Sequence, residues 1–314
     1  MPSKWNRRTG QPDLPGVQEA IAQALAERTP GGVRRGELDR DGRALRWVEA
    51  GQVGAAPVVL IAGSGGSSLD WAPVLPELAE HVRVVAYDRA GLGASEPDRD
   101  PGRDPGRDPG PVLDGQLEDL AALVEHLGAG PAVLVGHSWG GLLAQLLAWQ
   151  RPELVAGLVL VDPAHEEFRP QAISAAEAVL IRIRLLRTAL APAGPDREDA
   201  LDRAAAAAVA HPHQRRTILA ENRLTDLVVP ELRRRRAAGR LPDVPVWVLS
   251  ATAGLPRAMR ERWTAMQAWV AGGAARGEHI VVPGAGHAVH EDRPQAVVAA
   301  VLEVSDHARY VRNA

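Results

Sequence analysis

Cysteine is absent from the 314 residues. Its absence excludes disulfides, thiolate nucleophiles and cysteine metal sites, so any covalent chemistry must use another nucleophile. Neither sign of charge dominates: 36 basic residues stand against 39 acidic ones, for a net charge of -3. No global field therefore favours nucleic acid or an anionic membrane, and a small molecule is the expected partner. Lysine is nearly missing, with Lys4 the sole lysine among the basic residues, which reads as the drift of a GC-rich genome. The opening stretch MPSKWNRRTGQPDLPG is polar, and no apolar run near it is long enough for a signal-peptide core or a membrane span. The expectation is a soluble, cytoplasmic protein; the sequence carries no signature of oligomeric state.

With 46% of its residues apolar, the chain can bury a large core. Apolar runs recur at Pro57–Ala62, Val82–Asp88, Ala132–Gly136, Leu158–Asp162, Val246–Ser250 and His279–Val282, with helical segments between them. Near-continuous Val, Leu and Ile without polar alternation is what strands covered on both faces require, so a mostly parallel sheet flanked by helices is predicted. In such sheets the ligand crevice lies beyond the carboxyl ends of the strands. Two stretches break the alternation. Residues 97–111 read PDRDPGRDPGRDPGP, a low-complexity repeat read as a surface loop because proline and glycine oppose helix. Residues 164–241 are rich in Ala, Leu and Arg, with helical patterns at Ile173–Leu190 and Ala200–Ala210, and are read as a helical cap over the crevice. The run Arg233–Arg236 is read as a solvated helix face, because successive residues point all around a helix.

Residues 132–149 read AVLVGHSWGGLLAQLLAW, an apolar strand running into Gly136-His137-Ser138-Trp139-Gly140 and directly on into a helix. A GxSxG pentapeptide alone is weak evidence, but between a strand and a helix it predicts a strained turn that lifts the Ser138 hydroxyl to the top of the sheet. The turn also sets the Trp139 N–H at a helix N-terminus, where an oxyanion is favoured. His137 is read as structural, since adjacent residues do not easily align a hydroxyl and an imidazole.

From about residue 44 onward the order of segments resembles the α/β-hydrolase superfamily. The stretches that carry the resemblance are VVLIAGSGGSSLDW, VVAYDRAGLGASEP, LVGHSWGGLLAQLLA, LVLVDPAHEE and VVPGAGHAVHEDRPQAV. It implies an α/β fold whose core is formed by 37–163 and 242–314, a cap at 164–241 inserted after the sixth strand, and an N-terminal extension, 1–36, outside the match. It also implies that Ser138 is the nucleophile and that His287, after the last strand, is the general base, with an unperturbed pKa near neutrality suited to the task. His290 is the competing histidine, and metal ligation by the pair would need a third ligand that the sequence does not offer. The resemblance further implies a second oxyanion N–H from the loop Ala62–Gly66, assigned to Ser64; its GSGGSS lacks the Lys-Ser/Thr ending of a phosphate loop.

The acid departs from the commonest pattern of the superfamily, for the loop Ser250–Leu255 after the penultimate strand holds no carboxylate. A minority of members place the acid one strand earlier, which implies Asp162, with Glu166 as the next candidate. Gly63, Gly65, Trp71, His137 and Phe168 are candidates to line the pocket, with Trp71 and Trp139 equally readable as core. The implied chemistry is cleavage of a carboxylic ester, thioester or lactone through an acyl-enzyme, with no metal or organic cofactor required. Acyl transfer or cyclisation by the same residues, and a non-catalytic ligand-binding homologue, are the alternatives. Epoxide and haloalkane hydrolysis are disfavoured, since those relatives carry Asp where Ser138 stands.

Overall fold

A computed structural model describes residues 5–6, 11–98, 109–167 and 199–313. Eight strands form one sheet: β1 (Arg34–Arg40), β2 (Arg43–Ala50), β3 (Pro57–Ile61), β4 (Arg83–Asp88), β5 (Ala132–His137), β6 (Val155–Val161), β7 (Pro245–Ala251) and β8 (Arg276–Val282). Their spatial order is β8-β7-β6-β5-β3-β4-β2-β1. Six strands run parallel, while β2 pairs antiparallel with both β4 and β1. Every residue of β3, β4, β5 and β7 is buried, the environment their unbroken apolar sequence requires.

The six apolar runs of the sequence are all strands. The two that lack such a run, β1 and β2, lie at the sheet edge, where β1 (RRGELDR) alternates between exposed and half-buried positions. Around the sheet are packed α1 (Leu14–Ala26), α2 (Leu75–His81), α3 (Pro109–Leu127), α4 (Trp139–Gln150), α8 (Arg257–Gly272), α9 (Val289–Asp292) and α10 (Pro294–Asn313). Between β6 and β7 come the helices α5 (Ala200–Val209), α6 (Pro212–Leu227) and α7 (Val229–Ala238). The helical insertion thus follows the sixth strand. Its Ile173–Leu190 portion lies outside the described residues.

The N-terminal segment is more than an extension. Asp13 caps α1 by accepting from the Gly16 N–H, and Val17, Ile21 and Leu25, spaced four apart, are fully buried in the core. The repeat loop is also shorter than the sequence suggested, for α3 begins at Pro109. Proline is tolerated there because the first helical turn has no intrahelical use for its missing N–H.

Strand order reverses direction between β3 and β5: the chain leaves β3 for β4 on one side, then returns through α3 to β5 on the other. Loops leaving two neighbouring strands in opposite senses open a crevice at that point. Residues 62–66 and the Ser138 turn face each other across it. None of the described helices is long and apolar enough to cross a membrane.

Candidate active site

Ser138 caps α4 with φ 48° and ψ -112°, a conformation that side-chain-bearing residues rarely adopt. Its glycines are required by close packing. A Cβ at Gly136 would fall 2.4 Å from the Gly140 carbonyl oxygen, and one at Gly140 would fall 2.1 Å from that of Ile61. The turn is fixed to β6, since Ser138 N–H donates to the Val161 carbonyl (3.2 Å) and the Ser138 carbonyl accepts from Ala164 N–H (3.2 Å). Because α4 starts at Trp139, the Trp139 N–H is one of the first-turn donors with no acceptor inside the helix.

Asp162 sits at the end of β6, again at positive φ (43°), with its side chain only 3% exposed. One carboxylate oxygen, Oδ2, lies 2.7 Å from His287 Nδ1. The other, Oδ1, accepts from Ala251 N–H at 2.8 Å and from the Trp263 indole N–H at 2.7 Å. The end of β7, whose following loop lacks a carboxylate, therefore holds Asp162 by a backbone N–H. That loop also grips the histidine's own turn: Thr252 and Ala253 N–H donate to the Ala285 carbonyl, and Thr252 Oγ1 accepts from Gly284 N–H.

His287 is half exposed at its side chain (47%), open to the crevice. Its backbone carbonyl accepts from His137 Nε2 at 2.9 Å, which ties the buried elbow histidine to the turn that carries His287. Burial first, then the neighbouring His290 and His287, hold the His137 imidazole well below its ordinary pKa, so it is neutral and Nε2 carries its proton. His290 is buried between Trp71 (ring centroids 4.8 Å apart) and His137 (4.6 Å), with the Asp162 carboxylate turned to His287 instead. Trp71 is fully buried core, and the Trp139 side chain is buried with its indole N–H on Gln116.

The loop opposite Ser138 is shaped by Arg89, which follows β4 and is 2% exposed. Its guanidinium donates to the carbonyls of Ala62 and Gly63, both at 2.7 Å. A trans peptide sets N–H opposite C=O, so a Gly63 carbonyl held by Arg89 turns the Ser64 N–H to the other side of the loop. Gly63 is in close contact with the elbow; a Cβ there would lie 2.8 Å from His137 Nδ1 and 3.4 Å from Ser138 Cβ. Gly65 takes φ 69°. Sequence reading passed over Arg89. The signal available was its place in YDRAGLGAS, an arginine just beyond a fully buried strand, where a cation must find carbonyl or carboxylate partners.

Glu166, the other acid candidate, is engaged by an arginine. It pairs with Arg236 at 2.5 Å, and both border a cavity of about 580 Å³ with His165, Arg262 and Trp269. That pairing corrects the reading of Arg233–Arg236 as a wholly solvated face. Arg236 is 8% exposed and lies against both Trp149 (5.6 Å) and Trp269 (5.3 Å), because one of four successive helical positions must face the core. Phe168 falls outside the described residues.

A mostly parallel sheet, a serine at a strained strand-to-helix turn and a histidine–aspartate pair from later loops define an α/β hydrolase. The chain belongs to the alpha/beta hydrolase family, whose model matches residues 58–301. It is 34% identical over 146 residues to the dihydrolipoyllysine-residue acetyltransferase component of the acetoin cleaving system of Pseudomonas putida, covering 46% of this chain and 37% of that one. It is 33% identical over 122 residues to a soluble epoxide hydrolase of Corynebacterium sp. (strain C12), covering 39% of each. The chain thus spans under half the length of these curated relatives. Among solved structures it resembles the ligand-free epoxide hydrolase CorEH, with a TM-score of 0.63 at 24% identity, over 87% of this chain and 98% of that one.

Proposed function

We propose that the protein is a serine hydrolase that cleaves a carboxylic ester, thioester or lactone through an acyl-enzyme. The observation that carries this reading is the 2.7 Å contact between His287 Nδ1 and Asp162 Oδ2 beside a serine held at the turn between β5 and α4. In the proposed cycle, His287 Nε2 takes the Ser138 proton as Oγ attacks the acyl carbon, and Asp162 stabilises the imidazolium that forms. The oxyanion accepts from the N–H groups of Ser64 and Trp139, the latter reinforced by the helix dipole. His287 then protonates the leaving group, and water, activated by the same histidine, releases the acid.

The nucleophile's chemistry favours an acyl substrate over the epoxides named for two of the similar proteins. Serine opening an epoxide would form an ether, which has no carbonyl for water to attack, and the enzyme would be consumed in one turnover. Nitrophenyl esters of graded chain length, together with a fluorophosphonate probe, test the proposal. Turnover and labelling are expected in the native protein and lost in Ser138→Ala. Hydrolysis at near native rate in that variant would refute it.

A further inference from the structure

The helix α6 belongs to the insertion, yet one of its faces is built into the catalytic loops. Gln214, Thr217, Ile218 and Glu221 recur at helical spacing along that face. Gln214 Nε2 donates to the Gly93 carbonyl at 2.8 Å. A Cβ at Gly91 would lie 2.4 Å from Thr217 Oγ1, and one at Gly65 would lie 3.0 Å from Ile218, so both loops have glycine where the helix presses on them. Glu221, 1% exposed, reaches furthest. Its Oε2 accepts from Gly65 N–H at 2.7 Å and from Arg89 at 2.8 Å, while Oε1 accepts from Arg89 at 2.7 Å and from Gln116 Nε2 at 3.0 Å. Gln116 in turn accepts from the Trp139 indole N–H at 3.0 Å. One carboxylate from the cap thus joins the arginine that sets the Ala62 and Gly63 carbonyls, the loop amide next to the Ser64 donor, and the side chain of the elbow residue whose N–H is the other donor.

We infer that Glu221 is a positioning residue for the oxyanion hole, so that seating of the cap helix and assembly of the hole are one event. Withdrawing α6 removes the carboxylate that both Nε and Nη2 of Arg89 contact, and frees the Gly65 amide. The loop carbonyls are then free to rotate, and a rotated Gly63–Ser64 peptide turns the Ser64 N–H away from the developing charge. An unseated cap leaves Ser138, His287 and Asp162 in place but without one oxyanion donor. The inference rests on the serine-hydrolase reading for its catalytic consequence, while the clamp itself can be measured without turnover.

The test uses Glu221→Asp, which keeps the charge beside Arg89 but is one methylene too short to hold both Arg89 and Gly65, and Glu221→Gln as the second variant. Amide hydrogen exchange on the full chain is expected to accelerate in residues 62–66 in Glu221→Asp, with α4 unchanged. On an ester substrate kcat is expected to fall on the order of 10-fold to 10²-fold with KM within about threefold, as for a misplaced donor. The inhibition constant of a trifluoromethyl ketone, which mimics the tetrahedral oxyanion, should rise by the same factor as kcat/KM falls. Unchanged exchange in the loop, or a folded variant whose kcat stays within about threefold of the native value, overturns the inference. If the native protein neither turns over esters nor reacts with the fluorophosphonate, the hydrolase reading fails and hydrogen exchange still decides the clamp.

Discussion

Replacing Asp162 by Asn tests the proposed acid, and the structure fixes which way the amide must turn. Oδ1 faces two donors, Ala251 N–H and the Trp263 indole N–H, while Oδ2 faces His287 Nδ1. If the Asn NH2 group occupied the Oδ1 position, both buried donors would lose their acceptor, at about 1–3 kcal/mol each. The amide oxygen therefore stays on that side and the NH2 group donates to His287 Nδ1. Nδ1 must then be unprotonated, the ring proton moves to Nε2, and Nε2 can no longer receive the serine proton. In the best-studied serine protease triad this substitution costs on the order of 10⁴ in kcat, or about 5 kcal/mol at about 1.4 kcal/mol per decade. Glu166→Gln, whose carboxylate is held by Arg236, should change kcat by less than about threefold. A sharper consequence concerns the double variant Asp162→Asn with Trp263→Phe. With one of the two donors removed, the amide reversal costs only one hydrogen bond, so at least about tenfold of the lost rate should return. The assay is steady-state hydrolysis of a nitrophenyl ester. An Asp162→Asn variant within tenfold of the native kcat would falsify the proposed role.

Ser138→Gly should abolish turnover yet not lower stability, because it relieves backbone strain of about 1–3 kcal/mol at φ 48°, offset by about 0.5–1 kcal/mol of unfolded-state entropy; a clear fall in melting temperature would refute the strain argument. Gly140→Ala should destabilise by at least about 2 kcal/mol, since its Cβ would meet the Ile61 carbonyl oxygen at 2.1 Å and backbone cannot step aside, as calorimetry would report. Burial lowers the pKa values of His137, His165, His213 and His279 below the ordinary 6.5. As pH falls through 6.5 the unfolded chain binds protons that the native state refuses, so melting temperature should drop steadily from pH 7.5 to 6, and His137→Gln should flatten that slope. Asp88 acts with the opposite sign: burial pushes its carboxyl up to about 6, so the native state holds a proton that the unfolded chain has released, and its share of stability falls as pH rises from about 4 to 6.

The buried half of the molecule was legible because its sequence periodicity is its environment: runs such as Pro57–Ala62 and Ala132–Gly136 could only be strands covered on both faces. The elbow was legible for a similar reason, since Gly136 and Gly140 stand where backbone approaches backbone. Other features depend on tertiary partners. α1 carries Val17, Ile21 and Leu25 four apart, but nothing local says which surface they meet. Edge strand β1 has a charged sequence whose pairing is set by β2. The functions of Arg89 and Glu221 are the least local of all, for they lie 132 residues apart and each is intelligible only beside the other. Asp162 is implied by the resemblance once Ser250–Leu255 is seen to lack a carboxylate, whereas its anchoring by Ala251 and Trp263 joins residues that lie 89 and 101 positions apart and that no local pattern links.

The hydrogen bonds that join the Ser138 turn to β6 have a consequence for how activity is lost. The proposed nucleophile and acid, Ser138 and Asp162, follow adjacent central strands, joined by Ser138 N–H on Val161 and Ala164 N–H on the Ser138 carbonyl, so both are expected to stay closed until the sheet itself opens. The proposed base, His287, comes from a separate, more exposed turn, held by contacts with Asp162, His137 and the 252–253 backbone. Partial opening of that turn would remove the proposed proton acceptor without disturbing the other two groups. On the proposed mechanism, inactivation by mild denaturant should therefore run ahead of global unfolding and reverse at once on dilution, as for a rigid half-site with a detachable base.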